Sequence, residues 1–184
     1  MKLFMILIGC KPAGRHTEQH DIFFGIADEL RDLIPEMIAF WPETKGKLHL
    51  DGWKAVTQVD GQSVQIIAKD EPFSIVSNLK LFFINLGGYK KDEFEEFHYK
   101  LLIAAPDKSV AIQKAKETAF YKHTGFAGAT SHIDDKYGVD VDDVYEIEDI
   151  LPDAVKEKYS IVLSPSDSIT NDELHLGYFK LDKL

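Results

Sequence analysis

Two short patterns place an acid and a histidine two residues apart: Glu18-x-His20 and Glu96-x-His98. On a β-strand, residues two apart share a face, so each pattern would aim a carboxylate and an imidazole the same way. His49-x-Asp51 and His132-x-Asp134 do the same in reverse order if their segments are extended. Carboxylate plus imidazole is a ligand set of zinc and of non-haem iron, and also of a His–acid proton relay. The candidate catalytic residues are therefore Glu18, His20, Glu96 and His98. The candidate metal ligands are His20, His49, Asp51, His98, His132 and Asp134. A purely structural alternative stands beside these: each histidine fixed by its acid neighbour, each aspartate capping a turn. HExxH, GxSxG, a P-loop and a strand-borne GxGxxG are all missing from the chain, so no cofactor is expected.

These patterns sit in segments that the chain writes twice. Lys2–Ala27 aligns without a gap on Lys80–Ala105 at an offset of 78. Lys2/Lys80, Leu3/Leu81, Phe4/Phe82, Ile6/Ile84, Gly9/Gly87, Glu18/Glu96, His20/His98 and Ala27/Ala105 are identical. Each segment reads as a β-hairpin. Leu3–Ile8 and Leu81–Leu86 are nearly unbroken apolar runs, the signature of strands buried on both faces. The tips are Lys11–Thr17 and Tyr89–Glu95, and the return strands begin at Glu18 and Glu96.

A helix should follow each hairpin. In the second segment Asp107 is the expected N-cap, with an apolar stripe of Val110, Ala111, Ala115, Ala119 and Phe120 ending near His123. In the first, Asp28–Phe40 carries Pro35, which predicts a short helix to about Ile34 and then a break or a second turn. His49-Leu50-Asp51 and His132-Ile133-Asp134 then correspond at an offset of 83. Trp53–Val59 and Ser63–Ala68 flank Asp60-Gly61, a strong two-residue turn signal. Val144–Ile150 is the matching strand of the second segment. Tyr159–Leu163 and Glu173–Leu181 read as two further strands.

The expected architecture is α+β: an internal duplication of a ββαββ-like unit, largely antiparallel, with one helix per copy and a C-terminal strand pair. The boundaries are residues 1–76, 77–152 and 153–184, with Lys69–Asn78 an ordered connector. Copies of about 75 residues are marginal alone, so the two are expected to pack as one globular unit.

Other groups carry weaker signals. Cys10 ends a strand, but its counterpart is Gly88, so the scaffold needs no thiol there, and a buried inert cysteine is the expectation. Lys11, Gly14, Arg15 and His16 form a small basic patch at a hairpin tip, read as a solvated loop. Residues 134–149 hold eight carboxylates, yet lack the alternating oxygens of an EF-hand, so a solvated acidic face is expected. Trp41, Trp53, Phe40, Phe120 and Tyr121 are expected in the core rather than in a ligand groove.

The net charge of −10 argues against nucleic acid and against anionic membrane surfaces, both of which need clustered Lys and Arg. A single cysteine rules out an intrachain disulfide and fits a reducing, cytoplasmic setting. Leu7-Ile8-Gly9-Cys10 has the look of a lipobox, but one lysine and six apolar residues are too short for a signal, and the same string recurs at Lys80.

At LFFINLGGYKKDEFEEFHYKLLIAA, continued by AFYKHTGFAGATSHIDDKYGVDVDD, the chain resembles a bacterial family known as domain of unknown function 1543. That family carries one or two copies of its domain, and the resemblance spans both segments, most of residues 1–152. It implies no activity and no catalytic residues. Two functions from different classes remain in view. One is a non-enzymatic binding or assembly module with an unknown small-molecule or protein partner, dimeric through an exposed strand edge. The other is a metal-dependent or His–acid enzyme built on the duplicated Glu-x-His pairs.

Overall fold

The fold is described from a computed structural model, covering residues 1–72, 77–89, 92–118, 139–167 and 170–184. His132 and Asp134 lie outside these residues, as do Ala119, Phe120 and His123. The chain divides into two compact units, Met1–Phe73 with Leu151–Leu184, and Ser74–Ile150. The sheets pair antiparallel throughout the described residues and the helices are few and short, in keeping with the α+β expectation.

In the first unit, β1 (Lys2–Cys10) runs between β2 (Gln19–Ala27) and β3 (His49–Val56). A central strand has both faces and both edges covered, and for this reason Leu3–Ile8 is apolar without alternation. Phe4, Ile6, Ile8 and Cys10 face a core completed by Phe23, Leu33, Met37 and Leu50. Burying Ile6 or Ile8 completely contributes about 1.5–3 kcal/mol each.

The core is closed by a 3-10 turn, Leu30–Leu33, and the helix α1, Ile34–Phe40. The 3-10 turn ends at Leu33, beside the stop expected near Ile34, and a second helix follows it directly. Pro35 stands in the first turn of that helix, where its missing N–H would have had no partner, and its fixed φ starts the helix.

After β3 come β4 (Gln58–Val59) and β5 (Gln62–Ala68), joined at Asp60-Gly61 as predicted. Both turn residues have positive φ, 52° and 71°, as a type I′ turn demands. The chain's last segment returns to this unit. β9 (Tyr159–Pro165) pairs with β5, and β10 (His175–Lys180) pairs with β3, giving a four-stranded sheet ordered β10-β3-β1-β2.

In the second unit, β6 (Lys80–Tyr89) lies between β7 (Glu96–Ala105) and β8 (Val139–Glu146). The helix α2, Lys108–Lys116, packs Ala111 and Ala115 onto Phe82, Ile84, Leu86 and Ile103. Asp107 caps it, its carboxylate accepting from Val110 N at 2.9 Å. The helix ends at Lys116, short of His123. Nor is Val144–Ile150 a strand throughout. β8 ends at Glu146, and Ile147–Ile150 turn into a short helix whose Ile147 is fully buried and whose first turn carries Glu148 and Asp149.

Candidate functional site

In the first unit the pairing of β1 with its neighbours decides which side chains meet. Gly9 sits opposite His20 on β2 and opposite His49 on β3. The pleat turns Ile8 and Cys10 to the core, so Gly9, His20 and His49 share the opposite face. β3 then slips. Ile8 pairs with Leu50 but Leu7 pairs with Gly52, leaving Asp51 as the extra residue of a bulge. Bulges re-aim side chains, and this one leaves Asp51 beside both histidines.

The result is a closed ring of four groups. Asp51 Oδ2 lies 3.1 Å from His20 Nε2 and 3.3 Å from His49 Nε2. Glu18 spans the other side, with Oε1 at 3.2 Å from His49 Nε2 and Oε2 at 3.9 Å from His20 Nε2. Glu18 and His20 are close to half exposed, whereas His49 is only 5% exposed. Tyr178 of β10 covers His49, the rings stacked at 4.3 Å and 29°. On the same edge, His175 stacks on Trp53 at 3.9 Å.

Proximity and bonding disagree in this ring. His49 Nε2 and Asp51 Oδ2 are buried and make no hydrogen bond, although both have oppositely charged or polar neighbours within 3.3 Å. The atoms converge without an N–H pointing at an oxygen. The missing hydrogen bonds outweigh the short distances, because a hydrogen bond needs alignment as well as proximity. A buried imidazole nitrogen and carboxylate oxygen left in this state cost about 1–3 kcal/mol each unless something else satisfies them.

The backbone makes room for this convergence. A Cβ on Gly9 would stand 2.6 Å from His49 Nε2 and would run into Asp51 Oδ2. The contacts of 3.1–3.9 Å, with Glu18 reaching His49 through Oε1 and His20 through Oε2, are of the order of the spacing of about 3.3 Å between ligands on an ion with bonds of about 2.0–2.1 Å. Two imidazoles and two carboxylates are a donor set that zinc and related divalent ions accept. The exposed Glu18–His20 flank leaves such an ion open to solvent.

The second unit brings together Glu96, His98 and Asp142, whose ligand atoms lie within 4.8 Å of one another. His98 Nε2 is 3.4 Å from Asp142 Oδ2. Gly87 sits opposite His98, as Gly9 does opposite His20. β8 bulges in the same way: Leu86 pairs with Val141 and Asn85 with Asp143, leaving Asp142 as the extra residue.

Of the residues singled out from the sequence, Glu18, His20, His49 and Asp51 thus meet in one place, and Glu96 and His98 meet in another. The third partner there is Asp142. The strand beside β6 is Val139–Glu146, so the register position of His49 is taken by Asp140 and that of Asp51 by Asp142. The offset-83 counterpart, His132-Ile133-Asp134, lies outside the described residues. The signal in the chain is the pattern shared by His49-Leu50-Asp51 and Asp140-Val141-Asp142, an apolar residue between two ligand types.

No spacing in the sequence points to Tyr178, since only the strand pairing brings it to His49. Cys10 is buried on the core side, and desolvation, followed by the nearby Glu18 carboxylate, pushes its thiol pKa up. The basic tip Lys11, Gly14, Arg15 and His16 is exposed, as expected of a solvated loop.

The model of a family described as Domain of Unknown Function (DUF1543) matches residues 15–66. That stretch holds Glu18, His20, His49 and Asp51. Among curated proteins, none matches. In fold, the chain is similar to the crystal structure of a protein Il1583 from Idiomarina loihiensis, with a TM-score of 0.63, 20% identity, and coverage of 98% of this chain and 97% of that one. Among the described residues, no helix is long and apolar enough to cross a membrane.

Proposed function

We propose that this is a metal-binding protein whose primary centre is a divalent transition-metal site formed by Glu18, His20, His49 and Asp51. One observation carries the proposal: His49 Nε2 and Asp51 Oδ2 are buried, converge with Glu18 and His20, and make no hydrogen bond. A cation between them would satisfy both atoms. Two nitrogens and two oxygens favour zinc or a similar borderline ion over magnesium or calcium. This supplies a ligand for the binding module inferred from the sequence and takes up the metal form of the alternative. We infer also that the two units descend from a duplication. The identities between Lys2–Ala27 and Lys80–Ala105 support this, as do the shared hairpin register and the bulged aspartate of each unit.

The test is zinc uptake by the full chain, stripped with chelator, reloaded and read by elemental analysis and competition titration. Wild type should hold zinc in stoichiometric amount. His49→Ala and Asp51→Asn should bind it at least about tenfold more weakly, since loss of even an outer partner of a metal ligand costs 10–100-fold. Equal zinc affinity in wild type and both variants would overturn the proposal.

A further inference from the structure

We propose that Glu96, His98 and Asp142 form a second metal site, oxygen-rich where the first offers nitrogen and oxygen equally, and suited to a harder divalent ion such as manganese. The inference extends the proposal for the first unit. It rests on a separate set of residues in the second.

Three observations carry it. The donor atoms of Glu96, His98 and Asp142 lie within 4.8 Å of one another, with Asp142 Oδ2 at 3.4 Å from His98 Nε2. They are brought together by the devices that serve the first site. A glycine on the central strand faces the histidine, and a bulge in the third strand turns the aspartate in. The space is also reserved: a Cβ on Gly87 would stand 2.8 Å from Asp142 Cγ and closer still to one carboxylate oxygen. A strand needs no glycine at a paired position for its own sake, since glycine there weakens it. Close approach of another group is the usual reason for one, and here that group is the carboxylate.

The difference lies in the third strand. The register position of His49 is occupied by Asp140, so the second unit receives no second imidazole from it. The described donors are then one nitrogen and two carboxylates. Carboxylate and water ligands suit manganese, magnesium and calcium, whereas imidazole suits zinc and copper. Glu96, His98 and Asp142 are all exposed, so the ion would keep several waters and exchange readily. The first site, with His49 buried under Tyr178, would hold its ion more firmly. One chain would thus carry a tight site and a labile one of different preference.

The experiment titrates the full chain with manganese, read by loss of the free-ion electron paramagnetic resonance signal. His20→Ala/His49→Ala, which disables the first site, should still take up one manganese ion per chain. Adding His98→Ala or Asp142→Asn to it should weaken that uptake at least about tenfold. In the wild-type background, His98→Ala should leave zinc affinity at the first site unchanged. These second-unit side chains are exposed, so the fold should survive, with circular dichroism as the control. No manganese uptake by His20→Ala/His49→Ala, or uptake that ignores His98 and Asp142, would overturn the second site. Failure of zinc binding in wild type, with manganese uptake intact, would instead overturn the first.

Discussion

Gly9 faces His49 so closely that a methyl group on the glycine would lie 2.6 Å from His49 Nε2. No real Cβ contact is that short, so one of the two would have to move. Gly9→Ala should therefore leave the sheet formed but push His49 and Asp51 out of their ring. Forcing a methyl into a packed site costs about 1–3 kcal/mol. The larger effect should be on metal, a drop in zinc affinity of at least about tenfold. Competition titration beside a thermal melt separates the two. Unchanged zinc affinity in Gly9→Ala would show that the glycine serves only the strand.

Tyr178 stacks on His49 and comes from a strand far away in sequence. Its ring blocks rotation of the imidazole, and such a pair is worth about 0.5–1.5 kcal/mol. Tyr178→Ala should weaken zinc binding several-fold, while Tyr178→Phe should behave as wild type. If phenylalanine failed as badly as alanine, the hydroxyl would be the important group and the stacking argument would be lost.

Much of the first site is legible in the sequence. Glu18-x-His20 and His49-x-Asp51 announce themselves by strand spacing, and the identity of Gly9 with Gly87 marks both hairpins. Register is not legible. A one-residue bulge at Asp51 keeps it beside His49, and no local signal in the chain marks a bulge. The same slip at Asp142 hides the second site's acid, because His132-Ile133-Asp134 is the better match in residue type. Pro35 marks the junction of two short helices, but not which of them it belongs to. Proline breaks a helix from within and begins one from its first turn, and only the position of the start distinguishes the two. Tyr178 reaches His49 through tertiary pairing alone.

The cap on α2 gives a prediction independent of metal. Asp107 accepts from Val110 N at 2.9 Å, satisfying one of the helix's free N–H groups. Asp107→Ala should cost about 1 kcal/mol, and Asp107→Asn, an equally good cap, much less. Denaturant unfolding of both variants measures this. Equal losses would mean that the charge, not the capping bond, is what stabilises the helix start.

Cys10 is 3% exposed and its thiol pKa is raised, first by burial and then by Glu18. The reactive form is the thiolate, so a raised pKa keeps the group neutral and inert near pH 7–8. A thiol-specific chromogenic disulfide should react slowly with the folded chain and rapidly in denaturant. Raising the pH should speed the folded-state reaction only above the ordinary thiol range. Fast labelling of the folded protein at pH 7 would contradict the burial and restore Cys10 as a possible nucleophile.

His49→Asp tests the logic that distinguishes the two sites, since it writes the second unit's residue into the first. The new carboxylate would be buried beside Asp51 and the half-exposed Glu18, giving three acids in one cluster. Buried like charges are costly, so the metal-free variant should be clearly less stable than wild type. A bound cation would relieve that repulsion. Binding to the folded state alone stabilises it by about 2.7 kcal/mol at a hundredfold excess over Kd, so the melting temperature should climb with added manganese or calcium. Zinc should lose ground to manganese at this site, because one imidazole has been exchanged for a carboxylate. The measurement is a set of melts and competition titrations in each ion, run in a background with His98→Ala to silence the second unit. If His49→Asp kept the wild-type preference for zinc, or melted at one temperature whatever the ion, the ligand count would not be what sets selectivity here.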